Sequence, residues 1–336
     1  MKLSVLIPMY NANLYIANCL ESLINQDLSK KDYEIIIMDD GSKDNCKDIV
    51  KDYLEKHEHI SLYVERNVGS DSTRNKLLKL AKGDYVYFLD ADDYLVYNSL
   101  GGILEYASKN DLDLIGFDTL ETSNLKAFKL KKGDAVNNQT LTMRGLDYIK
   151  ENKHLRHEVW WYFVKRKLLI NNNISFDESG NNADVIFTLK ALLKSSRMAY
   201  KSIQIHRYVQ TTTSVMRDKS VEKKRKLIDS MYLMILSYSR LINTIENEGI
   251  KDREIIISNL KYRRDVFTFF NIINMIREKY RKKDVSERLS EFIDVKAYPI
   301  NYFTLEEYNT LKFRFLNRLV NNKPVLLNLI ALRNKF

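Results

Sequence analysis

Three carboxylates within four positions, Asp90, Asp92 and Asp93, close an apolar run, Tyr85-Val86-Tyr87-Phe88-Leu89. Like charges this close repel one another, and burying them without a cation is costly. An all-oxygen set suits a hard divalent ion, Mg2+ or Mn2+, above all one also held by phosphate oxygens. The run is short and bounded by Lys82-Gly83-Asp84. That predicts a buried strand with the acids at its C-terminal end, where open parallel α/β sheets hold ligands. Three more polar turns close apolar runs upstream: Pro8-Met9-Tyr10-Asn11, Asp39-Asp40-Gly41-Ser42 and Asn67-Val68-Gly69-Ser70. Each alone reads equally as a solvated turn. In series they point to one cleft, because parallel topology brings strand C-termini to one edge.

The elements that must position these turns follow from periodicity. Apolar runs at 2–8, 34–38, 60–64, 85–89 and 113–117 read as buried strands. Between them lie helical patterns from 13, at about 44–56, at 73–81 and at 99–109, with Asn13 expected to cap the first. Strand alternating with helix predicts an α/β fold with a mostly parallel sheet flanked by helices. Residues 121–139 read as a polar excursion, 146–153 as a short helix, 159–163 as an aromatic cluster and 203–208 as a last strand. Beyond 219 only helical patterns remain, at 221–247, 253–281, 285–293 and 304–319, with Pro299 and Pro324 as breaks.

The chain of 336 residues carries a net charge of +10, and from Asp218 onward 24 basic residues face 15 acidic ones. A near-neutral front and a basic back predict a catalytic domain at 1–217 and a basic, all-helical appendage at 218–336. Cys19 and Cys46 form no disulfide framework and no metal-type spacing; both read as buried packing residues in a reducing cytosol. There is no secretory leader pattern and no apolar window long enough to span a bilayer. The expected location is cytoplasmic, peripheral on the inner face of the membrane if the basic tail meets anionic lipid.

Gly-x-Gly-x-x-Gly is missing after the first strand and no Walker A loop is present, which excludes the usual dinucleotide and P-loop sites. An apolar strand ending in Asp-x-Asp resembles the haloacid dehalogenase-type phosphatases. Their nucleophile strand opens the core domain, however, whereas this one is fourth and continues into Asp93.

Together, Ser4-Val5-Leu6-Ile7-Pro8-Met9-Tyr10-Asn11, Asp39-Asp40-Gly41-Ser42, Asn67-Val68-Gly69 with Thr73-Arg74-Asn75, and Gly83-Asp84-Tyr85 through Asp93 resemble the family 2 glycosyltransferases of the GT-A fold, Rossmann-like in architecture. The resemblance covers about residues 3–217. It implies that Pro8, Tyr10 and Asn11 shape a nucleobase pocket. Asp40 would accept a hydrogen bond from a uracil N–H, and Arg74 would lie near the nucleotide. In the family's Asp-x-Asp, Asp92 would bind the metal, with Asp90 near the ribose or the metal's water shell. The family's base comes from an acidic pair opening a later helix. Here that pair reads Ala183-Asp184, so the first acid is replaced and Asp184 is the expected base, against a plain helix cap. His206 matches a late histidine that some relatives use as a metal ligand, with a structural histidine as the competing reading. Arg217 would reach the diphosphate or stay a surface arginine. Trp160-Trp161-Tyr162 is either an acceptor platform or core packing, and His154 and His157 read as solvated loop residues.

The implied activity is inverting, metal-dependent transfer of a hexosyl or N-acetylhexosaminyl group from a nucleotide sugar, UDP-linked, with Mn2+ or Mg2+. The implied acceptor is a glycan or lipid-linked saccharide in polysaccharide biosynthesis. An anionic membrane surface and a second copy of the chain remain open as partners, and nucleic acid is not expected. The rival from another class is a basic membrane-surface or nucleic-acid binding protein with a decayed cleft, which the intact acids oppose.

Overall fold

A computed structural model describes residues 1–129, 141–152, 155–178, 183–210, 221–247, 253–303 and 307–333. These fall into two compact units, one of residues up to 210 and one of the helices from 221.

Among the described residues, the first unit is built on nine strands: β1 (Leu3–Met9), β2 (Tyr33–Asp40), β3 (Ile60–Glu65), β4 (Tyr85–Phe88), β5 (Tyr94–Leu95), β6 (Leu114–Thr122), β7 (Thr142–Met143), β8 (Tyr162–Lys165) and β9 (Met198–Val209). The sheet order is β3-β2-β1-β4-β8-β6-β9-β5, with β7 also on β9. Its helices are α1 (Ile16–Ile24), α2 (Cys46–Leu54), α3 (Ser70–Leu80), α4 (Leu100–Lys109), α5 (Gly145–Glu151), α6 (Arg166–Asn171) and α7 (Ala183–Lys194). β1 and β2 are almost wholly buried and rich in Val, Ile and Leu, the composition of a strand covered on both faces. Their side chains join those of α1, α2 and α4 in one core, in which Leu3, Val5, Ile7, Leu20, Leu23, Ile35 and Ile37 are fully shielded. Each such burial is worth roughly 1.5–3 kcal/mol before the entropy of ordering is counted.

The expected mostly parallel sheet is parallel only over its first half. β2–β3, β1–β2 and β1–β4 pair in parallel. The free side of β4 is then taken by β8 running antiparallel, and β8 in turn pairs antiparallel with β6. β6 and β9 restore a parallel pair, while β5 and β7 run antiparallel to β9. β8 lies within the stretch expected as an aromatic cluster. Its neighbour Trp161 is fully buried, and the gap that receives its ring is Gly116 of β6, where a Cβ would meet the ring at only 2.4 Å. The Trp160-Trp161-Tyr162 segment is therefore core rather than an exposed sugar platform.

Asn13 does not cap α1. Tyr15 occupies the N-cap without a side-chain bond. Asn13 instead donates its backbone N–H to Asp44 Oδ2 (2.9 Å) and its side-chain amide to Asn45 Oδ1 (3.1 Å). A partner on the neighbouring turn has outcompeted the helix end. Cys19 and Cys46 are buried and unpaired.

The second unit comprises α8 (Val221–Asn247), α9 (Arg253–Arg277), α10 (Lys282–Asp294), α11 (Leu311–Asn321) and α12 (Lys323–Arg333). Phe269, Ile272 and Met275 of α9 are buried with Ile235, Leu289, Phe292 and Ile330, and Phe267, Phe270 and Ile273 pack against that core. The apolar residues of α9 are thus spent inside the bundle. Pro324 does not break a helix: it is the second residue of α12, where a backbone N–H has no partner to lose. Among the described residues, no helix is long and apolar enough to cross a membrane.

Candidate active site

The exits of β1, β2 and β3 are knitted together by side chains. Asn11, at φ 49°, sits in the left-handed region that Asn tolerates. Its N–H donates to Ser42 Oγ (2.9 Å), and its side-chain carbonyl accepts from the Lys43 N–H (2.8 Å). Pro8 is partly exposed at the end of β1 and Tyr10 is 48% exposed, so a flat ring is available at this edge. Asp40 is buried, and its two oxygens accept from Val68 N–H (2.6 Å) and Gly69 N–H (3.0 Å). Its carboxylate thus holds the third turn, a duty the sequence did not reveal. Neighbouring Asp39 accepts from the Ser42 N–H (3.2 Å) and pairs with Lys47 (3.6 Å). Gly41, at φ +75°, lets the chain pass so close that a Cβ would lie 2.8 Å from Asn67 N.

The three acids after β4 have three different fates. Asp90 is ion-paired with Arg74, Nη2 to Oδ1 at 2.7 Å. The same guanidinium reaches Asp71 at 3.5 Å and lies 5.7 Å from the centre of the Phe176 ring. Asp71, one turn before Arg74 on α3, was not anticipated, although its i,i+3 spacing is visible in the sequence. Asp93 is fully buried and accepts from the Val209 N–H (2.8 Å), which ties the acid turn to the end of β9. Burial first, then the charge of Asp90, push its pKa well above the carboxylate range, which favours its protonated form. Asp92 keeps partial exposure; burial, then Asp93 and Asp90, raise it to about 7.

His206 lies against Asp93. Its ring is wholly buried and stacked on Trp160 at 4.5 Å. Nε2 is 3.2 Å from Asp93 Oδ2, yet neither ring nitrogen has a hydrogen bond, so the contact is poorly aligned. Burial lowers its pKa to about 3, which keeps the imidazole neutral. Tyr208, two positions on, is half-buried and stacked on the same indole at 5.6 Å. Burial and then the charges of Asp93, Asp92 and Asp90 raise its pKa.

Asp184 is the second residue of α7. It accepts from the Val185 N–H (2.9 Å). Burial raises its pKa to about 6, with Arg74 pulling the other way and Asp71 and Asp90 adding to the rise. The helix is positioned by packing: Phe187 stacks on Phe176 at 4.1 Å, and both meet Phe88 of β4 edge-on. Tyr162 Oη and Thr188 Oγ1 lie 2.9 Å apart and link α7 to β8. Asn75 of α3 fixes the chain just before α7, donating to Phe176 O (2.9 Å) and Glu178 Oε1 (2.8 Å) and accepting from the Phe176 N–H (2.8 Å). Asp184, Arg74 and Asp90 are thereby within electrostatic reach of one another. Arg217 and His154 lie outside the described residues.

Among the described residues, no three His, Cys, Asp or Glu side chains are arranged to hold a metal ion by themselves. The donor chemistry still fits a hard cation. Asp92 is a partly exposed carboxylate whose proton is held only to about pH 7, and the buried Oδ2 of Asp93 beside it lacks a hydrogen-bond donor. A diphosphate would supply the remaining oxygens.

Residues 4–171 match the family described as Glycosyl transferase family 2. The chain is 31% identical over 221 residues to "Uncharacterized glycosyltransferase YibD" of Escherichia coli (strain K12), covering 64% of this chain and 63% of that protein. It is 33% identical over 204 residues to the poly(ribitol-phosphate) beta-glucosyltransferase of Bacillus spizizenii, covering 59% of this chain and 31% of that protein. The chain thus spans less than two thirds of the length of these curated relatives. Among solved structures, S. aureus TarS 1-349 in complex with UDP superposes with a TM-score of 0.69 at 22% identity, covering 97% of this chain and 89% of that one. The mannosyltransferase PcManGT of Pyrobaculum calidifontis, in complex with GDP-Man and Mn2+, superposes at 0.57 with 13% identity, covering 100% of this chain and 87% of that one. The fold is shared with both.

Proposed function

The chain belongs to glycosyl transferase family 2, and from that membership we propose that it transfers a sugar, with inversion, from a nucleotide sugar to a hydroxyl of a glycan or lipid-linked saccharide. The UDP complex of TarS supports a uridine-linked donor, and the Bacillus spizizenii relative, a poly(ribitol-phosphate) beta-glucosyltransferase, supports a polymeric acceptor. Residues 1–217 are assigned the donor site and the transfer, and 218–336 an accessory role. Pro8, Tyr10, Asn11 and Asp40 border the nucleobase pocket, with Asp40 using a lone pair left over from its two backbone bonds.

The observation that carries the reading is that a separate helix, α7, brings the Asp184 carboxylate at its first turn within electrostatic reach of the Arg74–Asp90 ion pair, where burial raises its pKa. Asp184 accepts the proton of the acceptor hydroxyl as its oxygen attacks the anomeric carbon. The bond from that carbon to the diphosphate oxygen breaks, and its electron pair leaves with the nucleoside diphosphate. One displacement inverts the centre and needs no enzyme nucleophile. Arg74, paired with Asp90, is assigned to the nucleotide, and Arg217 to its diphosphate. Asp92 is the residue to hold Mn2+ or Mg2+, and His206 joins it only by giving up its place against Asp93. A bound ion would act as a Lewis acid on the diphosphate.

Asp184→Asn should bind UDP as the parent does and lose on the order of 10²–10⁴-fold in turnover, the usual scale for a positioned base. Loss of UDP affinity with turnover intact at saturation would instead make Asp184 a donor-site or capping residue. Full activity after EDTA treatment would remove the metal from the reading.

A further inference from the structure

We propose that α11 and α12 form a surface that docks on an anionic lipid bilayer. Five of the sixteen large apolar side chains exposed among the described residues lie between positions 311 and 332: Leu311 (85% exposed), Phe315 (66%), Val325, Leu329 and Leu332. Single exposed apolar residues are ordinary, but periodic ones are not. Leu311 and Phe315 are one helical turn apart. Val325, Leu329 and Leu332 follow the i, i+4, i+7 spacing that keeps one stripe on one face. Other faces of the same helices, through Val320, Leu326 and Ile330, are buried in the bundle core, so the exposed stripes are additional to the packing the fold requires.

The charge around these stripes selects the occupant. Residues 311–336 contain six Lys and Arg and no Asp or Glu. Lys312, Arg314 and Arg318 are exposed on α11 beside Leu311 and Phe315. Apolar stripes with exposed Lys312, Arg314 and Arg318 beside them on α11, in a stretch without acids, suit helices lying in the headgroup layer, Leu and Phe reaching the acyl boundary and the cations meeting lipid phosphates. Arg333 of α12 is instead turned to the carbonyls of Ile276 and Tyr280. A second copy of this face is a poor partner, because an isologous contact would set cation against cation. A nucleic acid would leave the aliphatic stripe of α12 without a partner. The aromatic residues of α9 are not available to lipid, because Phe269 is buried in the bundle core and Phe267 and Phe270 pack against it.

The test uses the full chain and sedimentation with phosphatidylcholine vesicles, with and without phosphatidylglycerol. Binding is expected to the anionic vesicles only, and to weaken as salt rises. Leu311→Ser with Phe315→Ser should weaken it by at least about tenfold, since two apolar side chains leave the acyl boundary. UDP affinity and the thermal midpoint should be unchanged, which separates this result from any failure of the donor site. In a second variant, Phe315→Trp, the indole emission should shift to the blue on anionic vesicles and be quenched by brominated acyl chains. No sedimentation of the parent at low salt, equal sedimentation of the serine variant, or an unshifted tryptophan would each overturn the proposal. Self-association lost in the serine variant, without vesicle binding, would assign the face to a second copy and overturn it likewise.

Discussion

Asp184, the proposed base, carries a cost in stability. Its pKa is raised by burial from the ordinary carboxylate value to about 6. Between pH 4 and 6 the folded chain therefore binds more protons than the unfolded one, so stability falls as pH rises through that window, and the full cost is present above about 6. The proposed base role requires the deprotonated form, so kcat should climb about tenfold per pH unit below 6 and level off above. Asp184→Asn should flatten that limb. The same variant should raise the thermal midpoint at pH 8 but not at pH 4, the gain at pH 8 being on the order of 2 kcal/mol. A midpoint raised equally at both pH values would point to helix propensity instead. Asp40 behaves differently, because its oxygens already hold the Val68 and Gly69 amides. Asp40→Asn should therefore weaken UDP by about 1.5–3 kcal/mol in calorimetry and also loosen amide protection at 68 and 69. Weakened UDP with unchanged protection would separate the pocket role from the turn. Asp40, Asp90, Asp92 and Asp184 were legible because each closes or opens an element with a recognisable local pattern. Tyr208 is not legible, because its neighbours are distant in the chain, whereas Asp71 shows only as an i,i+3 partner of Arg74 that any exposed helix pair would resemble.

At the scale of elements, the turns of the cleft owe their placement to a few ties between helices and strands. Asn75 is the clearest, since one side chain makes three bonds to the segment that leads into α7. Asn75→Ala should cost about 1–3 kcal/mol of stability by leaving those buried backbone groups unpaired. It should also lower kcat more than it raises the KM for the donor, because it releases Asp184 and not the nucleotide pocket. Steady-state kinetics at saturating donor would check this. The parallel half of the sheet was readable from strand and helix alternation, since each link there is short. β8 was not, because Tyr162-Phe163-Val164 is buried on both faces and so shows no alternation. α12 is not legible because a proline at its start reads as a break, although a first-turn proline is no obstacle.

For the whole molecule, each unit has a hydrophobic cluster of its own among the described residues, so two unfolding transitions are expected rather than one. Calorimetry should show a transition that UDP with Mn2+ moves upward and a second that it leaves in place, because a ligand stabilises only the unit that binds it. A single transition shifted as a whole would show that the units unfold together. The sheet topology has a consequence for how the protein is made. β4, the strand that carries the acids, pairs on one side with β1 and on the other with β8, where Val86 meets Val164. At a synthesis rate of about 5–20 residues per second, that second neighbour follows several seconds later. Until then the central strand of the finished sheet is an open edge, the form most apt to pair with the wrong chain. During refolding, pulsed hydrogen exchange should find the β1–β2 amides protected before those that join β4 to β8. Nascent chains halted between residues 95 and 160 should be the ones most prone to aggregate.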